Sequence, residues 1–189
     1  MRTTKQQSVL NLAQFGVTLM EGLICLTIVS VLASLAAPEF RGALAKQRVA
    51  AARNELIASL HWARSEAIRR SMLVTLQRRT DCAQALLTDD DWSCGWRGVT
   101  GDIAARSTVT AEKDVLQTFS VPGGLRVIHP GGGDSLRFTQ LGQPLLVANK
   151  FIVSPRSDGA DNGWVKRATT TLCINRTGRI RTVEGKTTC

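Results

Sequence analysis

The sequence predicts an α+β fold: a long N-terminal helix whose outer half packs on an antiparallel β-sheet domain, with the inner, hydrophobic half protruding as the stick of a lollipop. Three observations carry that expectation. Residues 17–37 are apolar apart from one carboxylate, and helical spacing of apolar residues then continues to about Arg70. Beyond it, short runs rich in Val, Ile, Thr and Leu alternate with Gly, Pro and Asp clusters. Four of the five cysteines lie in that second part, an even number that suits disulfides. At 189 residues the chain has room for one domain and an appendage.

Residues 1–16 are polar and mixed, with no apolar core of their own. A secretory signal would place its hydrophobic region before the cleavage site and lose it. Here the apolar run follows. Residues 17–37 number twenty-one and are broken only by Glu21, enough to span a bilayer. After Glu21 comes GLICLTIVSVLASLAA, sixteen residues without a charge, with Cys25 reading as a small hydrophobe. A charge at that depth costs roughly 2.5–3.5 kcal/mol, so Glu21 needs a purpose. Arg2 and Lys5 precede the run and keep the first segment cytoplasmic while the rest crosses.

Pro38 lacks a backbone donor and is expected to kink a continuing helix. Residues 39–72 read as an amphipathic helix, with Ala52, Leu56, Leu60, Ala63 and Ala67 on one stripe. Arg48, Arg53, Glu55, Arg64, Glu66 and Arg69 lie largely off it. A helix over 17–70 is roughly 80 Å long at 1.5 Å per residue.

Residues 73–189 read as β-rich. Eight strands are expected, at 73–77, 95–100, 115–120, 125–128, 135–139, 150–154, 169–175 and 179–183. Trp92 and Trp96 read as core residues or caps beside a disulfide. The Gly-rich stretch at 130–134 lacks the Gly-Lys-Ser/Thr ending of a phosphate loop and reads as a turn. The loop at 155–163 has Asp residues but no EF-hand pattern.

Cys82, Cys94, Cys173 and Cys189 allow three pairings, of which local closure favours Cys82–Cys94 and Cys173–Cys189. No C-x-x-C or Cys/His cluster offers a metal site, and disulfides place the domain in an oxidising compartment. His61 and His129 stand outside any metal or catalytic spacing, and no nucleophile elbow occurs. The sequence therefore calls for no enzyme activity, no cofactor and no metal.

Charge is the informative quantity. The chain holds 24 Lys+Arg against 15 Asp+Glu, a formal +9, which favours polyanionic partners. Residues 164–189 hold Lys166, Arg167, Arg176, Arg179, Arg181 and Lys186 against Glu184 alone. Asn175-Arg176-Thr177-Gly178 reads as a tight turn with Gly at positive φ. After it, Arg179 and Arg181 leave one face of a strand, about 7 Å apart, while Ile180 faces the core. Two guanidiniums so placed could contact neighbouring backbone phosphates, with Arg176, Lys186, Lys166 and Arg167 extending the patch. Trp164 is the one aromatic near this segment. Backbone contacts to double-stranded DNA, without base readout, are therefore favoured over stacking on single strands.

Phe15-Gly16-Val17-Thr18-Leu19-Met20-Glu21 with its apolar sequel resembles the N-terminus of type IV pilins and type II secretion pseudopilins. That resemblance implies a leader at 1–16 and a transmembrane and filament-core segment at 17–38. It also implies cleavage between Gly16 and Val17 by a prepilin peptidase, with methylation of the new N-terminus. Val17 follows the cut and Phe15 precedes it, where the family usually places Phe after it. Glu21 would be the fifth mature residue, pairing in the filament with the N-terminal amine of a neighbouring subunit. Ala63-Arg64-Ser65-Glu66-Ala67, then Val74-Thr75-Leu76, then Cys94-Gly95-Trp96, resemble the FimT/GspH branch of minor pilins and pseudopilins. Gly178-Arg179-Ile180-Arg181 is similar to the G-R-x-R signature of FimT-type minor pilins, which bind DNA in natural transformation. The implied protein captures extracellular DNA through Arg179 and Arg181. It sits in the bacterial inner membrane with a periplasmic domain, and in a pilus among other major and minor pilins. Two alternatives are a minor pilin that primes pilus assembly and a GspH-like pseudopilin of a type II secretion system.

Overall fold

The computed structural model describes residues 18–82, 88–101, 115–145, 149–156 and 163–189, without the side chains of 35–39, 41 and 149. The expected leader, the cleavage site at Gly16 and Val17, the side chain of Pro38 and most of the 155–163 loop lie outside the described residues. The chain divides into two compact units, Met1–Glu39 and Phe40–Cys189.

Thr18 opens helix α1 (Leu19–Arg70). Its hydroxyl accepts the N–H of Glu21 at 3.2 Å, one half of a capping box, and Glu21 stands in the first turn where the helix dipole favours a carboxylate. Glu21 thus has a local role at the helix start. In the first unit Leu23, Leu26, Ile28, Val29 and Leu32 are exposed. The hydroxyls of Thr27, Ser30 and Ser34 donate to carbonyls three residues back, so they burden this apolar run with no unmet donor. Among the described residues no helix is long and apolar enough to cross a membrane.

In the second unit α1 buries Val49, Ala52, Leu56, Leu60, Ala63 and Ala67, the expected stripe with Val49 added. It packs on two four-stranded antiparallel sheets. The first has the order β3 (Val115–Phe119), β2 (Trp96–Thr100), β1 (Val74–Arg78), β5 (Ser135–Phe138). The second has β4 (Leu125–Ile128), β6 (Asn149–Pro155), β7 (Thr170–Ile174), β8 (Ile180–Glu184). One core joins the helix stripe to Leu76, Trp96 and Leu136 of the first sheet and to Val127, Phe151 and Leu172 of the second. Trp92 and Trp96 are wholly buried, as expected of core residues. The Trp96 indole N–H donates to the buried Ser59 hydroxyl at 2.8 Å, which in turn donates to the Leu56 carbonyl. His129 is also buried, its ring stacked on Phe151 at 4.0 Å.

All eight expected strands are present, with ends displaced by at most one residue. Both disulfides follow local closure, with Cα separations of 5.7 Å for Cys82–Cys94 and 5.8 Å for Cys173–Cys189. The sequence reading missed helix α2 (Gly163–Ala168), whose six residues are too few to display a 3.6-residue period. Trp164 on α2 is half-buried against α1, its Cβ 3.6 Å from where a side chain at Gly42 would begin.

Gly98 of β2 admits the helix to the first sheet. A Cβ there would stand 2.2 Å from the ring of Trp62, which packs edge-on against Phe119 at 5.5 Å. Overpacking of this kind costs about 1–3 kcal/mol. Denaturant unfolding of Gly98→Ala should show a loss of that size, while Gly123→Ala, facing open space, should stay within about 0.5 kcal/mol of the parent.

Candidate nucleic-acid interface

The β7–β8 hairpin is built around Asn175. Its side-chain oxygen accepts the Thr177 N–H at 3.1 Å, the Thr177 hydroxyl at 2.8 Å and the Arg179 N–H at 2.8 Å. An Asn that caps its own turn is a recurrent device, and here it organises the whole connection. The Gly178 N–H donates to the Asn175 carbonyl at 2.9 Å, and Gly178 has φ of 80°, as its position in the expected turn requires. Space imposes a second demand on that glycine. A Cβ at 178 would lie 3.2 Å from Nη1 of Arg64, which reaches the turn from α1.

Strand β8 begins at Ile180, one residue later than expected, so Arg179 stands just before it on the last residue of the turn. Ile180 pairs with Ile174 and packs against the core. Arg179 and Arg181 are exposed. They line one groove of ≈ 490 Å³ together with Lys150, Cys173, Cys189 and Pro130. The Arg181 Nη2 donates to the Cys189 carbonyl at 2.8 Å, and the Cys173–Cys189 bridge ties that carbonyl to β7. The Thr171 hydroxyl donates to the Lys186 carbonyl at 2.6 Å, so the segment after β8 is folded back over β7. Arg181 is therefore held by one of its five donors, leaving the others for a ligand.

Glu184, the one acid of residues 164–189, does not neutralise these arginines. It is paired with Thr170, three residues beyond Arg181, and so leaves the opposite face of β8. There it meets α1, with Lys46 Nζ and Arg53 Nη1 each at 3.7 Å. Other cations are also engaged. Arg69 and Arg70 hydrogen-bond Glu66 and pull its carboxyl down to about 2, and Arg79 lowers Asp81 in the same way. Arg78 pairs with Asp89 at 3.2 Å. Among the described residues no ion pair reaches Arg176, Arg179, Arg181, Lys150, Lys166, Arg167 or Lys186.

The expected patch is thus divided. Arg179 and Arg181 share the groove, and Arg176 is exposed at the tip of the turn. Lys166 and Lys186 line a second depression of ≈ 440 Å³ with Thr169 and Thr187, and Arg167 is exposed on α2 beside it. Lys150 was missed. The signal lay in the alternation of β6, where Phe151 and Val153 are wholly buried and Lys150 must point the other way.

Residues 52–184 match the family model described as type II transport protein GspH. The fold is similar to two crystal structures of the Pseudomonas aeruginosa type IV minor pilin FimU. One has a TM-score of 0.52 at 24% identity, over 74% of this chain and 90% of that one. The other has 0.49 at 25%, over 71% and 92%. A third match is the minor pseudopilin EpsH of the Vibrio cholerae type 2 secretion system, at 0.43 and 12% identity over 69% and 92%. Only the first exceeds 0.5, and at its identity it speaks to the fold alone. Comparison with curated proteins finds no match.

The turn makes a specific demand. An L-residue in the left-handed region costs about 1–2 kcal/mol, and Gly178→Ala adds the contact with Arg64. Unfolding of Gly178→Ala should show at least that loss, and Gly178→Asn a smaller one, since Asn tolerates this backbone.

Proposed function

The chain belongs to the GspH family, and from that premise we propose that it is a type IV pilus minor pilin that binds extracellular DNA for uptake in natural transformation. One observation carries the reading: Arg179 and Arg181 are exposed in one groove of a disulfide-braced hairpin, with the nearby acid turned to the other face. Phosphate is the ligand such a pair suits, because each guanidinium offers a fork of donors and a permanent charge. Gly178 and Asn175 shape the turn that presents them, and Arg176 adds a charge at its tip. Lys166, Arg167 and Lys186 lie around the second depression and would add longer-range attraction.

Recognition of this kind reads the backbone and not the bases, so it is independent of sequence and sensitive to salt. Trp164 is half-buried against α1, which leaves no aromatic platform beside the groove among the described residues and favours duplex over single strands. Processing between Gly16 and Val17, methylation of Val17, residence in the inner membrane and assembly through Glu21 with other pilins belong to the same proposal. The exposed apolar side chains of residues 19–32 support it, since a filament would cover them.

The description of the family favours a second reading, a pseudopilin of type II secretion whose partners are other pseudopilins. Arginine substitution separates the two. The full chain in detergent should bind duplex DNA, and Arg179→Gln/Arg181→Gln should weaken binding at least roughly tenfold, since each hydrogen bond to a charged group contributes about 1.5–3 kcal/mol. Cells carrying that variant should keep their pili and lose transformation. Loss of pili, or of secretion, with unchanged DNA binding would favour the assembly or pseudopilin reading.

A further inference from the structure

We infer that Lys150 is a third phosphate ligand, and that the DNA backbone crosses strands β8, β7 and β6 instead of following β8; this rests on the DNA-binding reading above. The argument begins with register. Lys150 pairs with Cys173, and Cys173 pairs with Arg181, so the three form one row across three neighbouring strands. Residues directly opposite in antiparallel pairs share a face, which places Lys150 and Arg181 on the same side of the sheet. With strands roughly 4.8 Å apart, their Cα atoms are separated by about 10 Å, within reach of two long side chains.

Along β8 the cations stop. After Arg181 the next residue on this face is Val183, and Glu184 is occupied with α1. Across the sheet they continue, because Lys150 lines the same groove as Arg179 and Arg181. No acidic residue of β6, β7 or β8 lies on the face that carries Lys150, Cys173 and Arg181. Lys150 is half-exposed, and among the described residues no ion pair engages it. The centre of the row is Cys173, uncharged and bridged to Cys189, whose carbonyl holds Arg181. The strand pairings set the separation of the two backbones, and the bridge, through the Cys189 carbonyl, holds the Arg181 side chain. The result is a triangle of positive charge with one short side from the turn into β8 and one long side across the sheet.

The test uses the full chain in detergent and a fluorescein-labelled 30-base-pair duplex, read by anisotropy at several salt concentrations. Lys150→Gln should weaken binding severalfold near 0.1 M salt and reduce the slope of log K against log salt by about 1. Lys150→Arg should restore both, and Lys150→Met should match Lys150→Gln. Arg48→Gln, which removes the same charge from an exposed position on α1, should change neither appreciably. If the parent binds and Arg181→Gln weakens it while Lys150→Gln leaves affinity and slope unchanged, the crossing path is wrong and the DNA reading stands. If the folded parent binds no duplex at all, both fail.

Discussion

The pairing of Ile180 with Ile174 decides what β8 presents to its surroundings. Ile174 is buried in the core and Ile180 packs against it, and period-two alternation then sends Arg181 to one face and Glu184 to the other. A slip of one residue would turn the arginines into the apolar interior and expose the isoleucine. Parity also explains why a segment with six basic residues and one acid keeps its arginines uncompensated: the acid is drawn to Lys46 and Arg53 on α1. These pairs are partly exposed and individually worth little, about 0–1 kcal/mol. Their consequence for function is where they hold the charge.

The same face-by-face logic links the core to the interface. Helix α1 fits against the sheets because its buried positions include small alanines at 52, 63 and 67, with Leu56 and Leu60 between them. Gly98 leaves room for Trp62 where a side chain would clash, and Trp96 anchors to Ser59. From that fixed helix Arg64 reaches the β7–β8 turn, where Gly178 accommodates it. Arg64 thus lies against the turn, and the Cys173–Cys189 bridge braces the hairpin. A side chain so held has less freedom to lose on binding than one on a mobile tail.

Much of this was legible in the sequence, for identifiable reasons. The helix stripe, the eight strands and both disulfides follow from local periodicity and loop closure, which need no knowledge of distant neighbours. Arg179 and Arg181 line one groove, although Arg179 precedes β8 and does not share its alternation as the spacing alone suggested. Lys150 was not found because its relation to Arg181 depends on two successive strand pairings and their registers. Arg64 was not found because α1 and the turn meet only in three dimensions. Asn175 could have been read as more than a turn former, since an Asn can accept the backbone N–H groups that follow it and so cap the connection with its side chain. The N-cap bond from the Glu21 N–H to the Thr18 hydroxyl is equally local, since a Thr three residues before a Glu at the head of an apolar run is a helix-start signature.

The central claim is that a small set of uncompensated cations on one sheet face holds DNA by its backbone. It is tested most directly by titrating the full chain with two duplexes of unrelated sequence over a range of salt. The account predicts equal affinity for both, with log K falling against log salt at a slope between about −2 and −3, as two or three phosphate contacts require. Binding that prefers one sequence and hardly responds to salt, or no binding by folded protein, would contradict it.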